Sequence, residues 1–344
     1  MKIGIYAGYW STNIGNSYFQ LGCKYLIKQA FPNATTFFIA DEAGYIDPNA
    51  GNPTNSYNSI LNINMDIAII LGPFIRPEVA KIAIPTLLEL RKKGIKILAL
   101  GVGMMDYTPS TINYASEILK EVSPDIFMTR DRETYNAFNN SCKCAYDGID
   151  LGFFSSDVYG EAPGLEGDYV TFNFDQIPEP LVIEGQSGQY KFEFEGKDYS
   201  LIFNKRRKSL SEKGFLFQTM DSLILKQSYN NNFAGKKIIR TDHRYNPVIL
   251  KRIYRYPNTI ASDIPEPYWA AYKNTKLTIS NRVHACVATL SFGNPAWLFT
   301  KSPRSYLLDR VGVTDIRKGP VSIPIDYLAE EKARMVEFIK THIS

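Results

Sequence analysis

The chain has 344 residues, with 39 basic against 35 acidic side chains, 44% apolar residues and 13% aromatics, a composition that excludes disordered and fibrous proteins. A single core stops growing near roughly 250 to 300 residues, so this length favours two compact domains with a cleft between them. A net charge of +4, spread evenly, is too weak for a nucleic-acid-binding protein but leaves small anionic ligands open.

Met1-Lys2-Ile3-Gly4-Ile5-Tyr6 opens directly on a strand pattern with no long apolar stretch behind it, and no later run reaches membrane-spanning length. The expectation is a soluble, cytoplasmic protein. Cys23, Cys142, Cys144 and Cys286 have neither the density of a disulfide scaffold nor the pairing of a zinc site, so reduced thiols and no metal are expected. Short apolar runs at 3–7, 36–40, 66–71, 95–100 and 125–129 read as buried strands, and helix-period stretches at 16–30 and 78–93 read as crossovers between them. The pattern is a parallel sheet with helices. Residues 47–64, rich in Asn, Gly and Pro, read as a loop beside the cleft mouth.

Residues 157–168, with three glycines and Pro163, separate the halves, which divides the chain into domains at 1–160 and 161–325 with a terminal helix in 326–344 that can cross back to the first domain. In the second half the expected order is a strand at 169–174, a hairpin over 190–203 turning at Gly196-Lys197, a helix at 213–227, a strand at 237–240, a helix at 248–254 and a strand at 277–279. The last helix covers 327–343, and no internal repeat is present.

The run Leu277-Thr278-Ile279-Ser280-Asn281-Arg282-Val283-His284-Ala285-Cys286 is a short strand, a polar turn and the start of an apolar helix. It puts Ser280, Asn281, Arg282 and His284 at a strand's carboxyl end, where open α/β sheets bind ligands. An arginine offers a planar fork to carboxylate or phosphate, and a helix start adds backbone donors. His284 can deliver a proton there at neutral pH.

Ser280-x-Arg282-x-His284-Ala285, with the helix behind it and Gly293-x-Pro295, resembles the signature of the polysaccharide pyruvyl transferase family. Three further places carry the resemblance: the loop from Gly8 through Asn13, Gly15 and Asn16, the strand Leu98-Ala99-Leu100-Gly101-Val102-Gly103, and Thr129-Arg130-Asp131-Arg132 opening a helix. It runs from about Gly4 to about Gly312, and four motifs in order are more specific than any one. The resemblance implies an α/β, GT-B-like pair of Rossmann-type doubly wound domains facing across a cleft, phosphoenolpyruvate as donor and co-substrate, no further cofactor, and a sugar or lipid-linked oligosaccharide of a capsule or exopolysaccharide as acceptor. It implies His284 as general acid and Arg282 and Arg130 as holders of the donor. Asn16 stands where the family commonly has an aspartate; an amide hydrogen-bonds but cannot act as a base.

Other candidates are open from the residues alone. Asn13, Gly15, Asn16 and Ser17 can bind a phosphate or sugar or simply cap a helix. Without the resemblance Arg130 is divided between the cleft and pairing with Asp131 and Glu133. Arg240, Asp242, His243 and Arg244 follow a strand, which makes His243 the rival acid. Tyr9, Trp10, Tyr107 and Trp269 are available to stack on sugar rings, although burial is the commoner fate of such side chains. Asp147 and Asp150 are candidates for turn caps or acceptor contacts, and Lys205-Arg206-Arg207-Lys208 for a solvated turn or a peripheral contact with the membrane's inner face. Two rival functions remain: a GT-B glycosyltransferase using a nucleotide sugar, and a non-catalytic carbohydrate-binding relative. A homo-oligomer is allowed by the sequence but not indicated by it.

Overall fold

The computed structural model describes residues 1–40, 61–175, 177, 179–203, 230–243, 258–300 and 302–343. Most of the 47–64 loop, the helices expected at 213–227 and 248–254, the basic run at 205–208 and Arg244 lie outside the described residues.

The first half folds as a six-stranded parallel sheet in the order β2-β1-β3-β4-β5-β6, built from β1 (Lys2–Ala7), β2 (Thr35–Ala40), β3 (Ile67–Leu71), β4 (Lys96–Val102), β5 (Ile126–Thr129) and β6 (Ala145–Asp147). The central strands are apolar on both faces because helices cover both, and their runs of Ile, Leu and Ala are accordingly buried throughout. Helix α1 (Gly15–Ala30) lies on one face, with Cys23, Leu26 and Ile27 in its core. Helices α2 (Pro77–Lys92) and α3 (Pro109–Val122) occupy the other. The sequence reading omits α3, although Ala115, Ile118, Leu119 and Val122 mark its buried stripe. A short helix, α4 (Arg132–Phe138), follows β5 and is capped by Asp131, whose carboxylate accepts from the Thr134 N–H at 2.7 Å.

The segment between the two sheets is packed rather than open. A 3₁₀ turn over Leu151–Phe154 leads into α5 (Ser155–Tyr159), and Gly22 lets α1 approach that turn so closely that a Cβ would overlap the Leu151 carbonyl oxygen.

A second sheet, order β11-β12-β7-β14-β15 with β13 beside β12, is parallel except for its short edge strand β11. Its members are β7 (Tyr169–Asn173), β11 (Asn232–Phe233), β12 (Lys236–Thr241), β13 (Thr259–Ile260), β14 (Thr278–Ser280) and β15 (Ala296–Leu298). A separate three-stranded antiparallel sheet, β8 (Leu181–Glu184), β9 (Tyr190–Phe194) and β10 (Lys197–Ile202), lays Val182, Phe192 and Leu201 against Phe172 and Trp297. Its hairpin turns at Glu195-Gly196, both at positive φ, which only a glycine-containing tight turn of this hand accommodates cheaply. Helix α6 (Glu266–Lys273), absent from the sequence reading because 8 residues are too few to establish a helical period, precedes β14; α7 (Val283–Ser291) follows it.

The two halves share a core. Ile14 and Tyr18 of the first pack with Tyr268, Trp269, Tyr272, Ala285 and Ala288 of the second, and the Ile14 N–H donates to the His243 carbonyl at 2.8 Å. After α8 (Tyr306–Arg310), helix α9 (Ile325–His342) returns to pack on the first half: Met335 and Ile339 join the α1 core, and Lys332 pairs with Asp157. Arg310 joins Asp147, 3.0 Å away, to Glu331 at 3.1 Å. No helix among the described residues is long and apolar enough to cross a membrane.

Candidate active site

The carboxyl ends of both sheets open onto one cavity of about 230 Å³. Its walls come from the loop after β1 (Asn13), from α1 (Asn16, Phe19), from the end of β5 (Arg130), from the turn between β14 and α7 (Asn281, Arg282), from the first turn of α7 (His284), and from Thr300, Ser302 and Arg304. Placement at strand ends follows from the open α/β architecture, in which loops, not strands, are free to diverge.

Arg130 is 5% exposed and leaves β5 toward this cavity. Its Nη1 lies 3.4 Å from Asp150 Oδ2, so it pairs there and not with Asp131, whose carboxylate is committed to its helix cap and to the Tyr107 hydroxyl at 2.8 Å. Arg130 Nε is buried without a hydrogen-bond partner. Arg282, at the start of α7, is 7% exposed; its Nε donates to Asp175 Oδ1, and its Nη2 is buried and unpartnered. Asn281 anchors through its Oδ1, which accepts from the Asp175 N–H at 3.3 Å, while its Nδ2 has no partner. Three buried donors on residues that line the cavity are therefore left unsatisfied. Such groups cost roughly 1 to 3 kcal/mol each unless a ligand fills them, more when charged.

His284 sits on the first turn of α7 against the Phe19 ring, centroids 5.6 Å apart. Its Nε2 is sealed from solvent 3.4 Å from Asp150 Oδ1. That carboxylate also accepts from the Gly152 N–H at 2.8 Å. Burial alone would raise the Asp150 pKa; the facing His284, Arg130 and the Gly152 N–H outweigh it and hold the group below its ordinary value. Gly15 makes the close approach of the start of α1 to His284 possible, since a Cβ there would stand 3.1 Å from His284 Cβ. Asn13 and Asn16 both face the cavity and bond to each other, Nδ2 to Oδ1, at 3.1 Å.

Other expected site residues have structural posts. Ser280 is fully buried and shapes the turn, its Oγ accepting from the Arg282 N–H at 2.7 Å. Gly101, at φ +62°, backs onto Leu151, and Gly103 makes room for Arg130; neither lines the cavity. His243 touches the cavity but its Nε2 is bound to the Tyr272 hydroxyl at 2.6 Å and approaches the Tyr18 hydroxyl at 3.3 Å. Burial first, then Arg282 and His284, push its pKa well below 6.5, which keeps it neutral and removes it as the rival acid. Trp269 is sealed in the core shared by the two halves and offers no face to a sugar. Among the described residues no group of three or more His, Cys, Asp or Glu side chains is arranged to hold a metal ion.

The family model described as polysaccharide pyruvyl transferase matches residues 13–302. The chain belongs to the polysaccharide pyruvyl transferase family. Arg130, Asn281, Arg282 and His284 all fall within the span matched to that family. Among curated proteins none matches the chain. Among solved structures, UDP-GlcNAc 2-epimerase from Neisseria meningitidis bound to UDP-GlcNAc has a TM-score of 0.54 at 11% identity, covering 99% of this chain and 93% of that one. The corresponding epimerase from Methanocaldococcus jannaschii has a TM-score of 0.50 at 12% identity, with coverage of 99% and 93%. These likenesses give the fold, a GT-B-like pair of Rossmann-type domains. Within this pyruvyl transferase family member, sequence reasoning missed Arg304, Asp175 and the pairing of Asp150 with His284. Arg304 stands outside every motif in Lys301-Ser302-Pro303-Arg304, and no local pattern announces the other two, which depend on contacts 107 and 134 residues apart in the chain.

Proposed function

We propose that this protein transfers a pyruvyl group from phosphoenolpyruvate to two hydroxyls of one sugar in a cell-surface polysaccharide or its lipid-linked precursor, forming a ketal. The observation that carries the reading is the convergence of Arg130, Arg282 and Arg304 with His284 on one cavity, where Arg130 Nε and Arg282 Nη2 have no protein partner. A small donor bearing both carboxylate and phosphate suits such a set, because guanidinium forks bind either group in a fixed plane.

In this reaction the imidazolium of His284 gives a proton to the methylene carbon of the enol phosphate. The second carbon becomes oxocarbenium-like, and the neighbouring arginines hold its carboxylate and phosphate in place. One acceptor hydroxyl adds to that carbon and its proton restores the imidazolium. The carbon–oxygen bond to phosphate then breaks, the second hydroxyl closes the ring, and its proton leaves on the phosphate. The scheme calls for no metal, and turnover is expected to survive EDTA. Membership of the family supports the transferase class, and the donor's usual location puts the reaction in the cytoplasm.

A nucleotide-sugar ligand is the alternative, drawn from the fold shared with UDP-GlcNAc 2-epimerases. Thermal stabilisation separates the two: phosphoenolpyruvate is expected to raise Tm in proportion to RT ln(1 + [L]/Kd), with UDP-sugars giving little. Stabilisation by UDP-sugars alone would overturn the proposal.

A further inference from the structure

We infer that Asp150 is the positioning residue of His284, and that it commits Nε2 to holding a proton so that Nδ1 is the atom that exchanges one with the substrate. The identity of that substrate rests on the pyruvyl-transfer reading; the pairing itself does not.

The two residues come from different parts of the fold. Asp150 stands at the exit of the first sheet, just before the Leu151–Phe154 turn, and His284 on the first turn of α7 after the second sheet. A carboxylate accepts hydrogen bonds and donates none, so the ring nitrogen facing it carries the hydrogen in both protonation states. That nitrogen is Nε2, 3.4 Å from Oδ1 and closed off from solvent. The separation is longer than a settled hydrogen bond, as in many sites that tighten once substrate is bound. Nδ1 lies on the other side of the ring, beside Gly15, where a Cβ would come within 3.4 Å of it. Among the described residues no hydrogen bond within the protein occupies Nδ1. It holds a lone pair when the ring is neutral and a transferable hydrogen when the ring is charged.

The charges around the ring set the balance. Asp150 favours the imidazolium; Arg130 and Arg282 oppose it, Arg304 lines the same cavity, and neutral His243 stands behind. From α1 the ring meets Gly15 and Phe19, neither of them charged. Asp150 is the one acidic group within ion-pair distance of His284 among the described residues, and it is fixed by the Gly152 N–H and by Arg130. A carboxylate held in this way orients the ring and stabilises its charged form without touching substrate.

The chain has only three histidines, so ring ¹⁵N signals can be assigned with His243→Gln and His342→Gln variants. In the wild-type protein with the His284 ring neutral, the expected result is a ring protonated at Nε2 and bare at Nδ1; the opposite tautomer overturns the inference without any variant at Asp150. In Asp150→Asn, which keeps an oxygen for the Gly152 N–H but lacks the carboxylate that holds the ring proton, the Nε2-protonated form is expected to lose its preference over the Nδ1-protonated one. The kcat at neutral pH is expected to fall with it by about tenfold or more. An unchanged tautomer balance in folded Asp150→Asn protein would equally overturn the inference. Both NMR readings need no donor, so wild-type protein that fails to turn over phosphoenolpyruvate would count against the transfer reading and leave the pairing standing.

Discussion

Gly103 and Arg130 occupy adjoining space so tightly that a Cβ on the glycine would overlap the guanidinium Nε and stand 2.9 Å from Asp131 Oδ2. The glycine at the end of β4 is thus the floor on which a buried cation rests. Gly103→Ala is expected to fold, since the obstacle is the far end of a long side chain, but to swing Arg130 off the donor. The KM for phosphoenolpyruvate should rise by about tenfold or more, the cost of one misplaced charged hydrogen bond. Steady-state kinetics with Tm as a folding control check this; an unchanged KM would separate Arg130 from donor binding.

Asp175 fixes Arg282, a residue of the cavity wall, through its Nε and leaves Nη2 buried and unpartnered. Asp175→Asn weakens that hold and should raise KM for the donor more than it lowers kcat. Arg282→Lys should do worse, because a single ammonium cannot serve carboxylate and phosphate in one plane. The two variants are compared by donor titration at saturating acceptor.

Gly22 allows α1 to lie on the Leu151 backbone, and backbone does not yield as a side-chain tip does. Gly22→Ala is expected to destabilise the fold by about 1 to 3 kcal/mol through overpacking, read by urea unfolding. Because Leu151 follows Asp150 directly, activity should fall as well, in protein that remains folded at the assay temperature.

His243 carries a depressed folded pKa, so the unfolded chain takes up its proton first, near pH 6.5. Stability from this residue is complete above that value and is lost as pH falls toward the folded pKa, at no more than about 1.4 kcal/mol per pH unit for one proton. Urea unfolding between pH 7 and pH 5 should show this slope, and His243→Gln should flatten it. An equal slope in both proteins would mean that some other group takes up the proton.

Much of this fold was legible because buried parallel strands write continuous apolar runs: β1, β3, β4 and β5 fall on the apolar stretches that announce them. Helix α6 was not: Tyr268, Trp269, Ala271 and Tyr272 stand at helical spacing, but its 8 residues are too short a window for the period to declare itself. The site divides the same way. Arg282 and His284 share one turn and could be read together, whereas Asp150, Asp175 and Arg304 reach them only through the packing of separate elements. Ser280 and Gly101 belong to the motifs yet serve the backbone, as motif residues often do where a turn must be tight.

In the proposed reaction His284 supplies the proton while the arginines hold an anionic three-carbon donor. The most direct measurement is phosphate release from phosphoenolpyruvate by His284→Ala in the presence of a working acceptor, beside thermal stabilisation of the same variant by the donor. Release is expected to fall by roughly 10² to 10⁴ with the donor-induced Tm shift retained. Release at the wild-type rate would contradict it.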